Sequence, residues 1–220
     1  MPLIVQRHAA SRRMRLRFDP VKGVAKLTIP QRAALKSALA WAAEQAGWIE
    51  AQRERTADLV KIGDGADIPV EGRMLRIVAT GTAGRNIVLE EDVMIVGGPV
   101  DVAGARVVRW LKARAKDVLA AETQELARRH RLPLGPVSIG DPRSRWGSCA
   151  SSGAIRYSWR LILAPAFVRQ ATVAHEVAHL RHMNHSPDFH AFVREISEAD
   201  PDAARAWLRR EGAGLHRYRV

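Results

Sequence analysis

The sequence predicts an α+β protein in which a helix bearing a His-Glu-x-x-His motif packs on a small antiparallel sheet, preceded by a β-rich N-terminal region. Three observations carry this. The motif His175-Glu176-Val177-Ala178-His179 sits among Val168, Ala171, Val173, Ala174 and Leu180, apolar residues that recur at helical spacing and nearly surround it. Just before it, Ala154 to Leu161 alternates, with Ile155, Tyr157, Trp159 and Leu161 on one side and Arg156, Ser158 and Arg160 on the other, the pattern of a half-buried strand. Residues 1–100 are short apolar or alternating runs punctuated by Gly, Pro and Asp.

In chain order, Met14, Leu16 and Phe18 share one face of a first strand from Arg13 to Phe18, and Val24 to Ile29 is its partner across a turn from Asp19 to Gly23. Leu35, Ala38, Leu39 and Ala42 recur at helical spacing until Gly47, after which Trp48-Ile49 opens a short turn or helix. Ile68 to Thr80 and Asn86 to Val96 read as a meander broken at Gly72, Gly81 and Gly84, and no Gly-Lys-Ser/Thr follows to make those glycines a phosphate loop. Gly97-Gly98-Pro99 is the boundary signal, dividing the chain into 1–100 and 101–220. A long amphipathic helix runs from Ala103 to about Arg131 and stops at Pro133, Gly135 and Pro136. Val137 to Ile139 is a short strand. The motif helix spans about Pro165 to His182, and Ser186-Pro187-Asp188-Phe189 reads as N-cap, N1, N2 and N3 of another helix.

Composition narrows the class. No apolar run approaches the ~20 residues of a membrane span, and the apolar stretch at Leu3 to Val5 is too short for a signal peptide, so a cytoplasmic protein is expected. The single cysteine, Cys149, excludes an intramolecular disulfide and a cysteine-rich zinc site. The net charge of +12 invites a nucleic-acid or nucleotide partner. The arginines are spread along the chain with few aromatics between them, however, which does not suggest a stacking platform for single strands.

The motif carries the chemistry. Residues four apart share a helix face, so His175 and His179 can aim ring nitrogens at one point, where a zinc ion would sit about 2.0–2.1 Å from each. Glu176 leans toward the same open side and can act as general base toward a water there. A catalytic zinc has three protein ligands and one open position. The candidates for the third ligand are His182, His185, His190, Glu195 and Glu198. His182 lies two turns from His175. Asn184 tolerates the left-handed conformation that ends a helix, so the chain can turn there and fold His185 back; spacing favours His185, with Glu195 next. Arg145, Ser158, Arg160 and His190 are candidates for binding substrate or stabilising an oxyanion, while Trp146 and Cys149 read as packing residues. An intact Glu176 argues against a non-enzymatic basic module built round a structural zinc, because a structural site closes its fourth position and needs no base.

The combination Arg145-Trp146-Gly147-Ser148-Cys149, Ile155 to Leu163, Pro165, the motif, and Asn184-His185-Ser186-Pro187-Asp188-Phe189 resembles the YgjP-like (DUF45) metallopeptidase family, which is similar to the SprT-like and WLM proteases of the zincin-like fold. Ser11-Arg12-Arg13, Trp48-Ile49, Gly72 and Trp207-Leu208 fit the same pattern, so the resemblance covers nearly the whole chain. It implies a zincin-like catalytic region, zinc held by His175, His179 and His185, Glu176 as base, and a peptide or protein substrate. The family pattern has a large aromatic after the Phe189 position, where this chain has His190. Hydrolysis of a nucleotide phosphoanhydride is the alternative activity for this group.

Overall fold

The computed structural model describes residues 2–19, 24–57, 59–84 and 86–219, with the backbone alone for 53–57. It divides into two compact units, Met1–Leu59 and Val60–Val220. In the first unit, β1 (Leu3–His8), β2 (Arg15–Asp19) and β3 (Val24–Pro30) form a sheet of order β1-β3-β2, with β1 parallel and β2 antiparallel to β3. Alternation along β3 sends Leu27 and Ile29 inward against Ala38 and Ala42 of α1 (Leu35–Glu44), whose small side chains let the helix lie close. The run at Leu3, too short for a signal peptide, is used as β1. Gln45 separates α1 from α2 (Ala46–Ala57). Of the expected turn from Asp19 to Gly23, residues 20–23 lie outside the described residues.

The second unit opens with β4 (Val60–Lys61), followed by two hairpins, β5 (Asp67–Val70) with β6 (Arg73–Ala79) and β7 (Ile87–Glu90) with β8 (Val93–Val96). The first turns through Glu71 and Gly72 at φ 51° and 86°, both left-handed, and at the second position glycine adopts that value at no steric cost. The expected meander is corrected here: the order is β5-β6-β8-β7, and β6 pairs in parallel with β8. Burial explains the order. Met94 and Val96 make β8 the more apolar strand and it takes the centre, while the exposed Val88, Leu89 and Glu90 leave β7 at the edge.

Gly97-Gly98-Pro99 does not separate two units. Ile68, Leu75, Ile77 and Met94 belong to one core with Val107, Leu111, Ala115 and Leu119 of α3 (Ala103–Arg129) and with Ile155, Tyr157 and Trp159, so the division falls at residue 59 rather than 100. Beyond α3, Arg131 is left-handed (φ 53°) and the Leu132 N–H reaches back to the Ala127 carbonyl at 2.9 Å, a helix stop that precedes Pro133.

The sheet beside the motif has β9 (Val137–Gly140), β10 (Gly147–Cys149) and β11 (Ile155–Ser158) in the order β10-β11-β9, antiparallel between β10 and β11 and parallel between β11 and β9. The strand expected to run to Leu161 ends at Ser158. Trp159–Leu163 is a 3₁₀ turn, with the Arg160 N–H donating to the Ser158 hydroxyl at 3.3 Å and all five residues buried. The motif helix α4 (Ala166–Ala178), α5 (Pro187–Ile196) and α6 (Pro201–Glu211) follow, and β12 (Tyr218–Arg219) returns to pair in parallel with β4. The protein is therefore α+β. Among the described residues no helix is long and apolar enough to cross a membrane.

Candidate metal centre

Helix α4 is covered on most sides. Val168, Val173, Val177 and Ala178 are almost fully buried. Arg169, also buried, anchors the helix to α3 by donating from Nη2 to Glu122 Oε1 at 2.8 Å. The helix is shorter than expected. It ends at Ala178, and the Leu180 and Arg181 N–H groups donate three residues back, to Val177 and Ala178, tightening the chain into a 3₁₀-like turn. His182 is therefore off the helix, half-buried with its ring edge toward Phe192. Asn184 is not left-handed either. Its side-chain oxygen accepts from the Ser186 N–H at 3.4 Å, and this local turn brings the chain round. Ser186 then caps α5 by accepting from the Phe189 N–H at 3.3 Å, with Pro187 in the first turn.

This return path brings three rings together. One ring nitrogen from each of His175, His179 and His185 lies within 4.8 Å of the others, and His175 Nε2 and His185 Nε2 are 3.2 Å apart. Three nitrogens around one tetrahedral ion at 2.0–2.1 Å stand roughly 3.3 Å from each other, so this donor set fits a divalent cation. His179 Nδ1 lies 3.0 Å from the His182 carbonyl oxygen, to which it can donate, leaving Nε2 for an ion. Burial, then the neighbouring His179 and His185, push His175 down to about 4, which keeps its ring neutral and able to ligate. Burial likewise lowers His179. Phe189 is fully buried beneath the cluster. Its ring centroid lies 4.5 Å from His179 in a stack, and 5.0 and 4.8 Å from His175 and His185 at steep angles. Its role as the floor of the cluster was hidden in the sequence, where it reads only as the N3 residue of a cap.

Glu176 is 5% exposed, and burial raises its carboxyl to about 7 against the opposing charge of Arg145. Its neighbour on the sheet beside α4 is Gly147 of β10. A Cβ there would stand 2.4 Å from Glu176 Oε1, so only glycine leaves the carboxylate its place against β10. A cavity of about 280 Å³ opens beside the pair, walled by α4, α5, α6 and residues 145–147, with His175, Glu176 and His190 on its surface.

The four substrate-binding candidates separate in space. Arg145 and His190 line the cavity. Arg160 and Ser158 are corrected: both are buried and occupied in holding the fold. The Arg160 guanidinium donates to Asp141 at 2.8 and 3.3 Å and to the carbonyls of Leu215 and Tyr218 at 2.9 and 3.0 Å, which ties the chain's last turn to the sheet. Among the described residues, Glu195, Glu198 and His190 stand outside the three-histidine group, and Glu198 pairs with Arg129. Arg194 and Arg205 line the cavity and were not singled out in the sequence, where they read as ordinary charges on helix faces.

No curated protein and no solved structure matches the chain. A family profile does, that of the YgjP-like, metallopeptidase domain, over residues 12–211. That span takes in the Arg145–Cys149 run, the motif helix, His185 and Phe189, and it shows that the chain belongs to the YgjP-like metallopeptidase family.

Proposed function

We propose that this chain is a zinc-dependent peptidase in which His175, His179 and His185 would hold the ion and Glu176 is the general base. The observation that carries the reading is the position of Glu176, a buried carboxylate between a three-histidine cluster and an edge strand. An all-imidazole set of three suits zinc and leaves a fourth position free, as catalytic sites do. Zinc bound by these three histidines would supply Lewis acidity toward a water and a substrate carbonyl. Glu176, raised to about 7, is poised both to accept a proton from the attacking water and to hand it to the leaving amine. His182 fixes the tautomer of His179 through its carbonyl, and Phe189 holds the rings in place.

A peptide substrate has an available surface. The Ser158 N–H donates to the Trp146 carbonyl and the Ala150 N–H to the Ala154 carbonyl, so Trp146, Ser148 and Ala150 pair inward with β11. By the alternation of an antiparallel ladder, the peptide groups of Gly147 and Cys149 face the outer side of β10, where an extended chain could add as a strand. The alternative, phosphoanhydride hydrolysis, needs several cations on phosphate. Of the arginines nearest the site in sequence, Arg160 is bound to Asp141 and Arg156 lies against Gly140, whereas Arg145 lines the cavity. A cytoplasmic setting belongs to the same proposal and rests on the single, free Cys149.

The test is Glu176→Gln. Zinc content and thermal stability are expected to match wild type, while turnover of a peptide library falls by about three or more orders of magnitude. Turnover equal to wild type at equal zinc would contradict the mechanism.

A further inference from the structure

The peptidase reading leaves the cavity beside Glu176 without an occupant. Its inner wall is apolar, formed by Ala171, Val193, Ala204 and Leu208, and its rim carries Arg145, Arg194 and Arg205. Several other arginines of this unit, Arg76, Arg114, Arg128, Arg129, Arg160 and Arg169, are tied to acidic side chains. Among the described residues, Arg145, Arg194 and Arg205 form no hydrogen bond or ion pair. They come from three separate segments, the loop before β10, α5 and α6, yet converge on one opening. Two carboxylates share the wall, Glu176 and Asp202, so three cations face at most two anions there. At about 280 Å³ the cavity falls just below the roughly 300–1,000 Å³ of sites that enclose a whole small molecule. It can take one side chain or a chain end.

Resting on the peptidase reading, we infer that this cavity is a specificity pocket for a substrate carboxylate carried on a short apolar stem, with Arg194 and Arg205 as the groups that recognise it. Guanidinium groups bind carboxylate through paired, charge-assisted hydrogen bonds. The apolar wall would cover the methylene stem, as a glutamate side chain or the end of a peptide provides. Because His175 and Glu176 form part of the same wall, a carboxylate held there sets which peptide bond reaches Glu176.

The experiment uses full-length protein and labelled hexapeptides with Glu, Gln or Lys scanned through each position, made with free and amidated C-termini. Cleavage is followed with zinc-loaded protein, and binding is followed by fluorescence anisotropy with chelator-treated protein. Wild type is compared with Arg194→Gln and Arg205→Gln. Arg145 is left intact because its charge acts on Glu176. Both substituted residues are exposed, so the fold is expected to survive, and this is checked by thermal midpoint. Glu, or a free C-terminus, should be preferred over its neutral counterpart at one position by about tenfold or more, the size of one charge-assisted pair. The preference should shrink to within about twofold in the variants, the loss falling mainly on the Glu or free-C-terminus peptides. Absence of any preference, or a preference that persists in the Arg194→Gln/Arg205→Gln double variant, would overturn the proposal. So would arginine-dependent binding of ATP without binding of Glu peptides. Selective, arginine-dependent binding by chelated protein with no peptide cleavage by the zinc-loaded form keeps the carboxylate pocket and removes the peptidase reading instead.

Discussion

Arg145 and Arg160 bracket the β10–β11 hairpin and end in opposite environments. Arg145 precedes the edge strand, is exposed, and stands on the cavity beside Glu176. Arg160 follows the central strand, is 7% exposed, and is surrounded by Asp141 and two backbone carbonyls. The two residues carry the same charge and are close in sequence, yet one is available to a substrate and the other is part of the core. What separates them is the sheet. A residue leaving the edge strand meets solvent and the mouth of the site, whereas one leaving the central strand is covered on both sides by the rest of the fold.

Breaking this contrast gives a graded set of outcomes. The largest concerns Gly147, which holds Glu176 in place through the absence of a side chain. Gly147→Ala should lower peptide turnover by on the order of a hundredfold or more, because the new methyl would overlap the carboxylate, while zinc content stays near wild type. Steady-state kinetics beside metal analysis decides this; full activity in Gly147→Ala would show that Glu176 needs no such space. Next is Arg160→Gln. It removes a buried cation from Asp141 and leaves two carbonyls without their donor, so unfolding free energy should fall by about 2–3 kcal/mol, held to the lower end because Asp141 is half-exposed. Denaturant titration measures it. Arg145→Gln should reverse the pattern, leaving the denaturation midpoint unchanged and reducing peptide cleavage by no more than about tenfold. If Arg145→Gln instead unfolds the protein, or Arg160→Gln is fully stable but inactive, the assignment of the two arginines is inverted.

The smallest effect is a pH dependence. Burial raises the Asp141 carboxyl, but the hydrogen bonds and charge of Arg160 outweigh it and hold the group below the ordinary carboxylate range. A depressed folded-state pKa stabilises above the unfolded value, near 3.9, and the contribution fades as pH falls through the lower folded value. Stability measured from pH 6 to pH 2 should therefore drop more steeply in wild type than in Asp141→Asn, by less than about 1 kcal/mol because the carboxylate is partly screened. Equal slopes would show that the pair contributes nothing to acid sensitivity.

The same contrast explains what could be read in the sequence. The motif helix was legible because its polar residues stand out against the apolar ones around them, and the Ser186-Pro187 cap because it depends only on local chemistry. His185 could be placed by chain reversal, although the turn uses the Asn184 side chain rather than a left-handed backbone. The edge strand could not be read. Gly147-Ser148-Cys149 is too short to show a period, and strand order is a property of tertiary pairing. Arg160 misled for a related reason: alternation with Leu161 and Trp159 looks the same for a solvent-facing arginine as for one that meets a distant carboxylate and the chain's final turn. Arg194 and Arg205 were invisible as a pair because only the packing of α5 and α6 brings them to one cavity.

The central claim is that three histidines from α4 and the following turn hold a catalytic zinc, and the most direct test is metal stoichiometry. Protein purified without chelator should carry about one zinc per chain. Single His175→Ala and His179→Ala variants should carry almost none, and His185→Ala should hold it so weakly that dialysis removes it. The Glu176→Gln protein should retain about one. Full, dialysis-resistant zinc in His185→Ala would contradict this ligand set and move the third ligand elsewhere, with Glu195 the first residue to substitute next.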